Sequence, residues 1–118
     1  AAAIGRVIAC DPVPTAVVAI SQLSSNYFPT DIDPREDHIS SPEDDTYNKR
    51  VLALMTNGEF AQIDTLASDY SRKCRVEVDF KAMAFLRGVG AAAQGRKARC
   101  HGYGPIHGTG AAVVEFVG

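Results

Sequence analysis

Cysteine is scarce in this chain: Cys10, Cys74 and Cys100 are all it has. An odd count permits at most one internal bridge. No two of them stand in a Cys-x-x-Cys spacing, which argues against a structural zinc site or a thioredoxin-type redox pair. Long apolar runs are missing as well. Nothing approaches the roughly 20 residues that a membrane-spanning helix needs, so membrane insertion is not expected. There is no Asn-x-Ser/Thr acceptor for glycosylation. The glycines at 88–95 and 102–110 carry neither a Gly-x-Gly-x-x-Gly nor a P-loop pattern at a strand-to-helix junction, so no cofactor is implied. The acidic stretch lacks the spacing of a calcium-binding loop.

What is there fits one domain. The 118 residues, with ordinary apolar and charged fractions, are enough to bury a core without metals. The net charge of −2 hides an uneven spread. Residues 31–45 hold seven acids against Arg35 alone, and residues 72–99 hold eight bases against Glu77 and Asp79. Such asymmetry can steer a charged partner or be satisfied internally, with the acidic loop folded over basic strands.

Periodicity predicts the elements. Ile4 to Cys10 is short, apolar and rich in branched residues, and reads as a buried strand. Asp11-Pro12 resembles a helix start, and Val13, Ala16, Val17, Ile20, Leu23 and Tyr27 follow at helical spacing up to Pro29. Residues 29–41 form an exposed acidic loop. Ser41-Pro42-Glu43 opens a second helix carrying Tyr47, Val51, Leu54 and Met55 on one face. Asn57-Gly58 ends it. Phe60, Ile63, Leu66, Ala67 and Tyr70 mark a third helix, which makes an αα-hairpin with the second. From Cys74 to Phe80 the period changes to two, predicting a strand with one wet face of Arg75, Glu77, Asp79 and Lys81. Arg96 to Tyr103 and Ala111 to Val117 read as further strands. The expectation is a two-layer α+β domain spanning 1–118, with an N-terminal strand and three helices packed on a mainly antiparallel sheet formed by the C-terminal third.

Three constellations could carry chemistry. His101 and His107, with an acid such as Asp79, are the candidates for acid–base work, although His101 and Cys100 point to opposite faces of a strand unless a bulge intervenes. Arg96, Lys97 and Arg99 near Tyr103 could bind nucleic acid by phosphate contact and stacking; the pI near 5.9 speaks against it. Cys74 and Cys100, both placed on strands, are the candidate disulfide, against the alternative of three reduced thiols.

No assembled active site emerges. Small size, a start at Ala1-Ala2-Ala3 without Met and the candidate bridge together suggest a non-enzymatic, secreted protein that binds another macromolecule, of a virulence-effector or toxin-like kind. Its partner is expected to be a protein, met through residues 29–41 and the strand charges. A small enzyme or ligand-binding module, with a pocket between sheet and helices, is the first alternative. A nucleic-acid-binding protein is the second. A cytoplasmic location is the alternative to secretion.

Overall fold

A computed structural model describes residues 1–89 and 97–117. Four helices precede a two-stranded antiparallel ribbon: α1 (Ala2–Cys10), α2 (Pro42–Asn57), α3 (Phe60–Cys74), α4 (Lys81–Val89), β1 (Lys97–Ile106) and β2 (Thr109–Val117). No helix among the described residues is long and apolar enough to cross a membrane.

The centre is the α2–α3 hairpin. Ser41 caps α2 by accepting a hydrogen bond from the backbone N–H of Asp44, Pro42 occupies the first turn, and Glu43, Asp44 and Asp45 face the positive end of the helix dipole. Gly58, at φ 76°, ends the helix in the left-handed conformation that glycine adopts without strain. Val51, Leu52, Leu54 and Met55 from α2 meet Ile63, Leu66 and Tyr70 from α3 in one buried cluster. Each such side chain contributes about 1.5–3 kcal/mol by leaving water. The ribbon covers α2 with Ala98, which is buried, and with Cys100, Tyr103, Ala112, Val114 and Phe116, which are partly so.

At the meeting point of these layers sits a polar residue, Asn48, which is fully buried. Its Oδ1 accepts from the Tyr70 hydroxyl at 2.6 Å and from the backbone N–H of Ser24 at 3.1 Å. Its Nδ2 donates to Ser24 Oγ at 2.9 Å and to the Tyr103 hydroxyl at 3.1 Å. The full capacity of the amide is therefore used. Ser24 Oγ also accepts from the backbone N–H of Gly110 at 3.1 Å. Gly110 lies so close to Asn48 that a side chain there would collide with it.

The expected fold class is not what the chain adopts. Ile4 to Cys10 is not a strand: it belongs to α1, which packs on α4. The close fit there uses two glycines, Gly5 against the Val89 carbonyl and Gly88 against Ala1. The expected helix after Asp11 is absent, and residues 12–28 run without helix or strand. Two prolines and a run of branched residues disfavour a helix there. The expected strand from Cys74 to Phe80 is the end of α3 followed by a 3-10 turn, Glu77–Phe80. Arg75 takes a left-handed conformation, φ 49°, and redirects the chain. Cys74, Val76 and Phe80 are nonetheless buried, and the residues expected on the wet face, Arg75, Glu77, Asp79 and Lys81, are exposed. Among the described residues the sheet has two strands rather than three or four.

Asn48→Ala should destabilise the chain by about 2–4 kcal/mol, because it strands several buried polar groups at once. Urea denaturation followed by circular dichroism measures this. A loss under about 0.5 kcal/mol would show that the network is dispensable.

Candidate functional site

The β1–β2 turn and the loop that reaches it form the most organised surface feature. Ile106 pairs with Thr109, leaving His107 and Gly108 as a two-residue turn. Both have positive φ, 52° and 88°, the hairpin geometry that Asn-Gly usually supplies. A histidine at the first of these positions costs of order 1 kcal/mol, which something else must offset. The offset comes from the acidic loop. The Asp37 carboxylate accepts from the His107 backbone N–H at 2.6 Å and from that of Gly108 at 3.0 Å. Ser40 N–H donates to the Gly108 carbonyl at 2.8 Å, and Phe28 N–H donates to the His107 carbonyl at 3.3 Å. The Phe28 ring lies over Gly108 and is flanked by His38 and His107, with ring centroids 4.8 and 6.0 Å away. His107 Nε2 stands 2.9 Å from the Phe28 carbonyl; a carbonyl only accepts, so that nitrogen carries a proton. Partial burial opposes ionisation of Asp37, but the N–H groups of His107, Gly108 and His38 outweigh it and hold the carboxyl below its ordinary range.

Beside this turn lies an open cleft of about 610 Å³. Gln22, Ser25, Tyr27, Arg75, Glu77 and His107 line it, with Val76, Ile106 and Thr109 supplying apolar surface. The Glu77 carboxylate accepts from the Gln22 backbone N–H at 3.3 Å. A cation, an acid and an aromatic ring around one opening can orient a small polar ligand, though a cleft this open leaves much of it in water.

The candidate residues are scattered. His107 is at the turn. His101 falls within a β-bulge between Cys100 and Gly102, and the bulge turns it to Glu115, 2.9 Å away. Asp79 lies in the 3-10 turn after α3, exposed and 3.8 Å from Lys81. The three are not brought together. Lys97 and Arg99 are exposed on β1, with Arg99 opposite Glu115. Tyr103 faces the other way: its hydroxyl donates to Asp45 at 2.8 Å, and burial together with that bond pushes it up to about 12. It therefore offers no stacking platform beside Lys97 and Arg99. Arg96 lies outside the described residues. Arg72 and Lys73 are already paired, with Asp69 and Glu43.

Cys74 and Cys100 are free thiols, which corrects the expected bridge. Cys74 closes α3 in the core, where burial and a hydrogen bond with Asp44 push its thiol up to about 12. Asp44, also buried, accepts from Asn26 Nδ2 at 2.9 Å and Ser40 Oγ at 3.0 Å. Sequence reasoning passed over Asn48, Asp44 and Asp37 as site-forming residues. Each sits among ordinary helix or loop polars, and only the fold shows what it faces.

No protein-family model matches the chain. Over 101 residues, 86% of its length, the chain is 39% identical to the alpha subunit of a 2-aminophenol 1,6-dioxygenase from a Pseudomonas species. It spans 37% of that subunit's length. Any such stretch includes residues 20–100, and with them Asp37, Asn48 and Tyr70. This relationship to an enzyme subunit overturns the expectation of a non-enzymatic, effector-like secreted binder.

Two outcomes are expected. Asp37→Ala should speed amide exchange at His107 and Gly108. Because the folded carboxyl titrates below its unfolded value, the stability it adds is present above about pH 4 and is lost as the pH falls through the folded value. The variant should therefore lose this part of the acid dependence, and unchanged exchange at both amides would contradict the clamp. In the second measurement, denatured protein without reductant should titrate as three thiols. In native protein at pH 8 Cys74 should resist alkylation while exposed Cys10 reacts. A single thiol on denaturation would restore the bridge.

Proposed function

We propose that this chain forms part of a subunit of a multi-subunit dioxygenase that acts on 2-aminophenol or a close relative of it. The observation that carries this reading is the identity of 39% over 101 residues with a protein that bears that activity in its name. The name also supports a protein partner, because an alpha subunit works beside a subunit of another kind. Nothing in the placement of Lys97, Arg99 and Tyr103 supports a nucleic acid in that role.

Non-haem oxygenases commonly hold iron with two histidines and one carboxylate, leaving positions open for oxygen and substrate. The described residues do not fit that requirement, since no three His, Cys, Asp or Glu side chains converge among them. His101 is engaged with Glu115, and His38 and His107 have ring nitrogens against the carbonyls of Glu36 and Phe28. In this reading the metal ligands come from elsewhere in the assembly. The contribution of these residues is a rigid helical hairpin, a ribbon locked on it through Asn48, and a turn held by Asp37 beside the cleft.

Recovery of the protein from its own cells through an affinity tag tests the proposal. A second, different polypeptide should accompany it, and the assembly should consume oxygen in equimolar amount with 2-aminophenol. A protein recovered alone, with no oxygen uptake on 2-aminophenol, would falsify this reading.

A further inference from the structure

Between α1 and Leu23 the chain crosses the surface without joining any helix or sheet. From Thr15 to Ser21 no backbone group is bonded to another backbone group among the described residues. Yet this is not the composition of a solvated loop. Thr15, Val17, Val18 and Ile20 are branched at Cβ and suit a pleated strand. In extended chain Ala16, Val18 and Ile20 share one face, and Thr15, Val17 and Ala19 the other. Both faces are thus largely apolar, the mark of a strand inside a sheet covered on both sides. Here Val18 is 80% and Ile20 93% exposed. Pro14 precedes the stretch, where a strand tolerates proline.

Two neighbouring observations point the same way. Immediately after it, Leu23 N–H donates to the Gly110 carbonyl and Gly110 N–H to the Ser24 carbonyl, both at 3.0 Å, so the segment already enters strand-like pairing where β2 begins. Just before it, α1 has no buried residue and exposes Val7. The radius of gyration, 15.3 Å, exceeds the roughly 13.5 Å of a compact domain of this length.

We propose that Thr15 to Ile20 is an interior strand of a larger sheet. Its neighbouring strands come from the part of a longer subunit that corresponds to the Pseudomonas relative outside the matched residues. Docking of a separate companion subunit, or of a second copy, would cover one face or one edge. The exposed apolar faces and the unpaired backbone edges call for enclosure within one folding unit. The relative has the necessary chain, since the match spans 37% of it. The inference rests on that relationship in length and sequence; it does not depend on the substrate.

The test is co-expression of this chain with the portion of the Pseudomonas alpha subunit outside the match, followed by hydrogen exchange. The two pieces should co-purify in equal amounts, and amides 16–20 should slow by at least about 100-fold relative to the chain alone. V18D/I20D should leave the circular dichroism and urea midpoint of the isolated chain unchanged, because both side chains are in water there, yet abolish co-purification. Absence of a complex, equally fast exchange of amides 16–20 with and without the second piece, or assembly of V18D/I20D overturns the proposal. Self-association of the isolated chain that V18D/I20D reverses would make a second copy the occupant and overturn it as well. Oxygen uptake plays no part in this experiment, so failure of the dioxygenase reading and failure of the strand placement are separately visible.

Discussion

The Asn48 carboxamide is the constraint on which the described structure turns. It belongs to α2, yet its four hydrogen bonds reach α3 through Tyr70, β1 through Tyr103 and the incoming loop through Ser24. Ser24 then relays the connection to Gly110 at the start of β2. A buried amide left unpaired costs more than a hydrogen bond gains, so these elements dock in one register or pay for the mismatch. Apolar contacts among Val51, Ile63 and Leu66 supply most of the drive to fold, but they tolerate sliding. The polar network does not. Burial pushes the Tyr70 hydroxyl far up, which keeps it a donor at any ordinary pH.

Asp37 does at the surface what Asn48 does inside. A two-residue turn carrying histidine at positive φ is locally unfavourable, and a two-stranded ribbon is marginal by itself. One carboxylate on two turn amides ties the ribbon tip to the acidic loop, and Asp44 ties that loop's end back to α2 and α3. The acidic charge of residues 31–45 is thus in part structural. It bonds backbone amides and capping groups more than it meets the basic residues that follow α3.

The relationship with a dioxygenase alpha subunit and the geometry fit together in one respect. The match spans 37% of that subunit, which therefore has further chain outside it. In this chain Val13, Val17, Val18 and Ile20 are exposed, and from Thr15 to Ser21 no backbone group is bonded to another among the described residues. Convergent metal donors are not found among the described residues, while a well-made scaffold is. The ribbon, the turn and the cleft are what these residues organise.

Much of the helical hairpin was legible in the residues. Ser41, Pro42, Asn57 and Gly58 have local effects on the backbone, and the spacing of Val51, Met55, Ile63 and Tyr70 needs no partner to be recognised. The last two strands were legible for the same reason. The relationship to a dioxygenase was not, because it rests on likeness to another whole sequence rather than on a short motif. Misreadings fell where two periods fit equally well. Val13, Ala16, Val17 and Ile20 suit a helix, whereas Ala16, Val18 and Ile20 suit a strand. Ser24 gives its N–H to Asn48 Oδ1 and takes a hydrogen bond from Asn48 Nδ2 on its hydroxyl, and the chain leading to it forms neither helix nor strand. From Cys74 to Phe80 the alternation placed Arg75, Glu77 and Asp79 in water but named the wrong element, since a left-handed Arg75 and a 3-10 turn bury Cys74, Val76 and Phe80 without a strand. By itself the sequence determined which residues avoid water and where local caps stop a helix. Only the tertiary structure decided the backbone between those caps, because its conformation there is set by hydrogen-bond partners from 20 to 90 residues away.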